Sequence, residues 1–135
     1  MADPQDVVAM INANLGGWNT AMGLRFTKVT PEECVGELVI AAQHRQPYGI
    51  VHGGVHMGII EAACSTGAAV VAFARNQSVV GLENSTSFVT AVRDGTLTVT
   101  ATPVTRGRRT QVWQTRLESD AGKLIAVVTQ TQMVL

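Results

Sequence analysis

The stretch from Val55 to Ala74 is mostly apolar over the length that a bilayer-spanning helix requires. No other feature limits the fold as strongly. It contains His56, Glu61, Ser65 and Thr66, and it is built on Ala and Gly rather than Leu and Phe. Charge near a bilayer centre is costly, so the segment is predicted as a buried helix of a soluble domain, running from Gly54 to Arg75. Apolar nearly all round, such a helix needs cover on several sides.

On either side of this helix the periodicity changes. Val7, Val8, Met10, Ile11 and Leu15 lie close to helical spacing, which predicts a short helix over Pro4 to Asn14, ended by Gly16-Gly17, in a helical segment over 1–20. Leu24 to Val29 and Val35 to Ala41 are extended runs separated by Pro31-Glu32-Glu33, the pattern of a hairpin or paired edge. After a polar break at Asn76-Gln77-Ser78, four runs are rich in Val and Thr: Val79 to Val89, Thr96 to Val104, Gln111 to Glu118 and Leu124 to Val134. Turn formers at Arg93-Asp94-Gly95, Arg106-Gly107 and Asp120-Ala121-Gly122 separate them. Four strands following one long helix predict an α+β layer fold, an antiparallel sheet wrapped around the helix in one domain over 1–135.

A hydrophobic content of 46% with only 15% charged residues exceeds what a lone domain of 135 residues needs, and points to a homodimer at least. Ten basic and ten acidic side chains cancel, which argues against nucleic acid or an anionic membrane as partner. Cys34 and Cys64 have no metal-type spacing and no secretory signal sequence ahead of them; they are expected to be reduced packing residues of a cytoplasmic protein.

The chemistry concentrates in Gln46 to Ser65. Here the loop delivers Gly53 and Gly54 to the start of the long helix, where the first N–H groups lack intrahelical acceptors and the dipole is positive. A ligand carbonyl can approach a glycine closely, so the N–H of Gly53 or Gly54 is suited to polarise it, unless the pair only makes a tight turn. Glu61 stands in the middle of the apolar helix, where an ionisable group is costly unless paired or functional. Ser65, one turn on, is placed to orient the carboxylate or a water, or to bond back to a helix carbonyl.

Gly53 and Glu61 are eight residues apart, which on one helix at ~1.5 Å per residue separates them by roughly 12 Å. A single reacting group needs both at about 3 Å, so if both serve one reaction Glu61 must come from a second copy, with two equivalent sites about a twofold axis. His52 and His56 have an i,i+4 spacing, but Glu61 is off their face, so no metal is expected. His52 reads as a loop anchor or hydrogen-bonding group and His56 as structural. Arg106, Arg108 and Arg109, with Gly107 and Thr110, form a turn that either binds phosphates through paired guanidinium hydrogen bonds or is a solvated hairpin tip. Gly81 and Gly95 fit turn or bulge positions rather than a phosphate loop.

Gln46-Pro47-Tyr48-Gly49-Ile50-Val51-His52-Gly53-Gly54 with Glu61 and Ser65, then Val79-Val80-Gly81-Leu82-Glu83, Gly107-Arg108-Arg109-Thr110-Gln111-Val112-Trp113 and Asp120-Ala121-Gly122-Lys123-Leu124, resembles the hotdog-fold acyl-CoA thioesterases of the aryl-CoA branch. The similarity runs from about Leu24 to the C-terminus. It implies hydrolysis of an aryl or medium-chain acyl-CoA with no cofactor, CoA being part of the substrate, in a homodimer or a dimer of dimers. By this resemblance Gln46 bonds near the thioester carbonyl, the Gly53 amide polarises it, and His52 lines the site. Glu61 of the facing subunit is the catalytic carboxylate, as nucleophile or general base, with Ser65 orienting it or the water. Gly81, Phe88, Thr90 and the turn Thr105, Arg106, Gly107, Arg108, Arg109 and Thr110 line the pantetheine and nucleotide path. Thr90 replaces a basic residue common in relatives, and Ser85 to Phe88 is less polar than in hydroxy-aryl enzymes, so the resemblance does not fix the acyl group. The alternatives to hydrolysis are a non-catalytic acyl-CoA-binding module and a hydratase or dehydratase on the same fold.

Overall fold

A computed structural model describes residues 2–135. Helix α1 (Pro4–Asn12) starts with Asp3 as its cap, the side chain accepting from the Gln5 N–H at 2.9 Å, and with Pro4 in the first turn. The first helix ends before the glycine pair, but a second one not separately expected, α2 (Gly16–Met22), begins there and stops at Gly23, whose φ of 74° is the left-handed helix end that glycine adopts freely. Trp18 explains why α2 persists. Its ring lies directly over Gly58, where any Cβ would overlap it.

Strands β1 (Arg25–Val29) and β2 (Cys34–Val39) pair antiparallel as the hairpin expected, and a loop with a short 3₁₀ turn at Ala42–His44 leads to α3 (Gly53–Phe73). Then come β3 (Val79–Phe88), β4 (Thr96–Arg106), β5 (Thr110–Ser119) and β6 (Leu124–Val134). All pairings are antiparallel, in one sheet of order β1-β2-β4-β5-β6-β3. Central strands β4 and β5 alternate buried and accessible residues, as strands with one covered face do. Leu97, Val99, Ala101, Trp113 and Leu117 meet Ile59, Ile60, Ala63, Cys64 and Ala68 of α3 in the core. Gly67 lets the Trp113 ring reach the helix backbone, since a Cβ there would stand 2.7 Å from it.

Helix α3 has the length and apolarity of a membrane span, but its buried residues pack on this sheet. Cys34 and Cys64 are free, buried thiols, raised to about 12 chiefly by burial. Strand β3 is different from the rest. It lies at the sheet edge, nothing in it is fully buried, and Leu82 forms a bulge between Gly81 and Glu83.

Candidate active site: two clefts along one helix

The first cleft lies at the N-terminal end of α3. Its loop is pinned on both sides: the Val51 N–H donates to the Val92 carbonyl, the His52 N–H to the His44 carbonyl, and an Arg93 guanidinium nitrogen to the Tyr48 carbonyl. Gln46 is held by its own turn, its Oε1 accepting from the Tyr48 N–H. His52 caps the helix, Nδ1 accepting from the Gly54 N–H at 2.8 Å. That bond occupies the Gly54 amide, while the Gly53 amide, in the first turn, has no intrahelical acceptor. The Phe88 ring covers Gly53, where a Cβ would come within 2.8 Å of a ring carbon.

Gln46, Gly53, His56, Phe88 and Thr90 thus line a hollow of about 350 Å³. His56 is only 4% exposed and its Nδ1 has no partner. Burial, with a smaller contribution from nearby His52, lowers the imidazole from 6.5 to about 4, so it is neutral at physiological pH.

The second cleft, about 230 Å³, gathers Glu61, Gly81, Asn84 and Gln130. Ser65 Oγ donates to Glu61 Oε1 at 2.5 Å, and Gln132 Nε2 donates to Ser65 Oγ at 3.2 Å. The bond of Ser65 is therefore to the carboxylate rather than back to the helix. Gly81 leaves room for this group, since a Cβ there would stand 3.1 Å from Glu61 Oε1 and 3.3 Å from Gln130 Nε2. Gln130 Oε1 accepts from Asn84 Nδ2 at 2.7 Å, while Gln130 Nε2 is buried without a partner. An unpaired buried polar group typically costs ~1–3 kcal/mol. Among the described residues, the two buried side-chain atoms in this state belong to His56 and Gln130, residues that line one cleft each.

One expectation is corrected here. Glu61 is not buried within its own chain but exposed, together with Met57 on the same side of α3. The sheet covers the opposite face only, so the apolar composition of the helix overstated its burial.

Helix α3 is unbroken from Gly53 to Phe73, so the eight-residue spacing of Gly53 and Glu61 stands at roughly 12 Å. Strand β3 separates the clefts in the same sense, with Gly81 near one end and Phe88 at the other, on the order of 20 Å apart at ~3.3 Å per residue. The structure brings Glu61, Ser65 and Gly81 together, and separately Gln46, His52, Gly53, Phe88 and Thr90; it does not join the two groups within one chain.

The arginine turn belongs to the Glu61 end of the sheet, because Arg106 pairs with Gln111, Gln111 with Gln132 and Gln132 with Gly81. Arg106, with Thr105 before it, is still in β4, and its guanidinium donates to the Pro31 carbonyl at 2.9 Å. Arg108 and Arg109 are exposed around Gly107, whose N–H donates to the Thr110 carbonyl.

The sheet edge thus carries a helix N-terminus at one end and a serine-held carboxylate at the other, and known proteins share this fold. Residues 48–126 match the Thioesterase superfamily, and the chain belongs to that family; it is a thioester hydrolase of the hotdog fold. It is 33% identical over 111 residues to the Mycobacterium tuberculosis protein named "Putative esterase MT1895", covering 81% of this chain and 79% of that one. It is 30% identical over 111 residues to 1,4-dihydroxy-2-naphthoyl-CoA hydrolase of Listeria monocytogenes, covering 82% and 89%. The crystal structure of S. sahachiroi AziG superposes with a TM-score of 0.85 at 35% identity, covering 90% of this chain and 98% of that one.

Proposed function

We propose that the protein hydrolyses an aryl or medium-chain acyl-CoA in a site assembled by two copies, with the thioester carbonyl at Gly53 of one and the carboxylate of Glu61 from the other. The observation that carries this reading is the division of the two clefts along an edge strand, paired with β6 on one side and free on the other. Val80, Leu82 and Phe88 of β3 are 47%, 56% and 57% exposed, an apolar edge with free backbone groups that invites another strand. Pairing β3 antiparallel with its own copy about a twofold axis sets the Gly81 end of one strand beside the Phe88 end of the other. Glu61, next to Gly81, then faces the partner copy's helix N-terminus, and the symmetry makes two such sites.

In that site the Gly53 N–H, on the positive end of the helix dipole, stabilises the oxyanion as the carbonyl carbon becomes tetrahedral, with Gln46 and His52 beside it. We draw Glu61 as the general base. It removes a proton from water, the resulting hydroxide adds to the carbonyl, and the C–S bond breaks to release CoA thiolate and the acid. Two features support this role: Ser65 leaves one carboxylate oxygen free, and Gln130, whose Nε2 has no partner, lines the same hollow. Arg108 and Arg109, with part of Arg106, take the CoA phosphates, and Gly81, Phe88, Thr90, Thr105, Gly107 and Thr110 border the path between. The reaction requires no cofactor, and the two free buried thiols suit the reducing cytoplasm to which we assign the protein.

The test is thiol release from a panel of acyl-CoA substrates, benzoyl-CoA included. Turnover unaffected by chelator is expected; absence of turnover across the panel overturns the reading.

A further inference from the structure

We propose that His56 is a substrate-binding residue of the Gly53 cleft, holding the thioester end of the acyl-CoA through a hydrogen bond from an uncharged imidazole. This rests on the reading of that cleft as the place where the thioester lies.

Four observations converge on the ring. It is one helical turn beyond Gly53 and lines the same hollow as Gln46, Phe88 and Thr90. It is almost wholly buried, yet no side chain or backbone group bonds to its Nδ1. Buried polar groups are nearly always paired, so an unpaired one on a residue that lines a cleft points to a partner that enters with the ligand. The contact with Phe88, 6.1 Å between ring centres, is apolar and supplies no hydrogen bond.

His44 in the same chain is the contrast. Equally buried, it has both ring nitrogens engaged, Nδ1 accepting from the Ala41 N–H at 2.9 Å and Nε2 bonding to the Met22 carbonyl at 2.7 Å. A histidine kept for structure is satisfied by its surroundings; His56 is not.

Neutrality fits the assignment. Burial holds His56 well below its ordinary value, so the ring carries both an N–H donor and a lone pair. Next to the thioester, the cysteamine amide of the pantetheine arm carries the complementary pair, and an uncharged ring binds it without competing for the carboxylate that must stay free for water.

The experiment uses a phenacyl thioether of CoA, in which a methylene between carbonyl and sulfur prevents hydrolysis. Calorimetry on wild type, His56→Leu and His56→Gln should show the Leu variant binding about tenfold more weakly, the worth of one hydrogen bond, and the Gln variant recovering most of that loss. In parallel, the imidazole ¹⁵N resonances of His56 in wild-type protein should shift when the analogue saturates, while those of His44 stay in place. This second readout needs no variant to fold. Failure of wild type to bind the analogue would sink the thioester-site reading itself. Binding by wild type with unmoved His56 resonances, or with unchanged affinity in a folded His56→Leu variant, would overturn this inference alone.

Discussion

The two clefts on α3 are built from opposite materials. The one at Gly53 has a backbone donor, a neutral imidazole and an aromatic cover but no acid; the one at Glu61 has a carboxylate, a serine and buried amide side chains but no free helix N–H. Each lacks what the other supplies. On the proposed reading, a carboxylate stands mid-helix, where its own dipole gives it nothing, because the positive helix end it serves belongs to another chain.

Removing the acid should break the comparison most severely. Glu61→Gln is expected to lower kcat by about 10³-fold or more while KM changes little, since general-base catalysis contributes in that range. Because Glu61 is exposed in its own chain, thermal melting of the variant should still show a folded protein. A kcat within tenfold of wild type would remove Glu61 from the chemistry.

Blocking the other cleft should cost somewhat less. In Gly53→Val the new side chain meets the Phe88 ring and closes the approach to the amide, so a loss of about 10²–10³ in kcat is expected, as for loss of an oxyanion donor. Unchanged steady-state kinetics would show that no carbonyl approaches Gly53.

The pH dependence of folding sharpens the contrast within the first cleft. In the unfolded chain His56 takes up its proton near 6.5, but in the folded chain only near 4. Between those values the unfolded state binds more protons, so this group's effect on stability is absent above 6.5 and grows as pH falls towards 4, reaching roughly 3 kcal/mol when fully expressed. Denaturant titrations from pH 7 to 4 should therefore show a steeper loss for wild type than for His56→Leu. Parallel curves would mean that His56 protonates freely in the fold.

The arginine turn gives the smallest effect. Arg108→Ala with Arg109→Ala should raise KM for acyl-CoA about tenfold with kcat nearly unchanged, and the difference should shrink as salt is added. Equal KM values at low salt would leave the turn as a solvated tip.

Much of this was legible in the sequence because it depends on local pattern. The span of α3, the alternation in β4 and β5 and the hairpin of β1 and β2 follow from periodicity and turn residues, and the spacing of Gly53 and Glu61 already put them roughly 12 Å apart on one helix. What was misread depends on contacts between distant segments. Gly16-Gly17 reads as a stop, but Trp18 docks on Gly58 and sustains a second helix. The reading of His56 as structural is not overturned, but the sequence gives no sign that its Nδ1 is unpaired, since that emerges only in the folded chain. Gln130 and Gln132 did leave a trace: with Val128 they fall on the inward parity of β6, where polar residues need a reason.

The shared site is tested most directly by mixing two inactive proteins. Glu61→Gln keeps an intact Gly53, and Gly53→Val keeps an intact Glu61, so a dimer containing one of each has one complete site and one doubly damaged site. Equal amounts after full subunit exchange give about half heterodimers, and on twofold symmetry about a quarter of wild-type thiol release should return. Mass spectrometry of the mixed sample establishes the exchange independently of activity. A return near one quarter is the expected result; no return in a sample shown to contain heterodimers would contradict a site built from two chains.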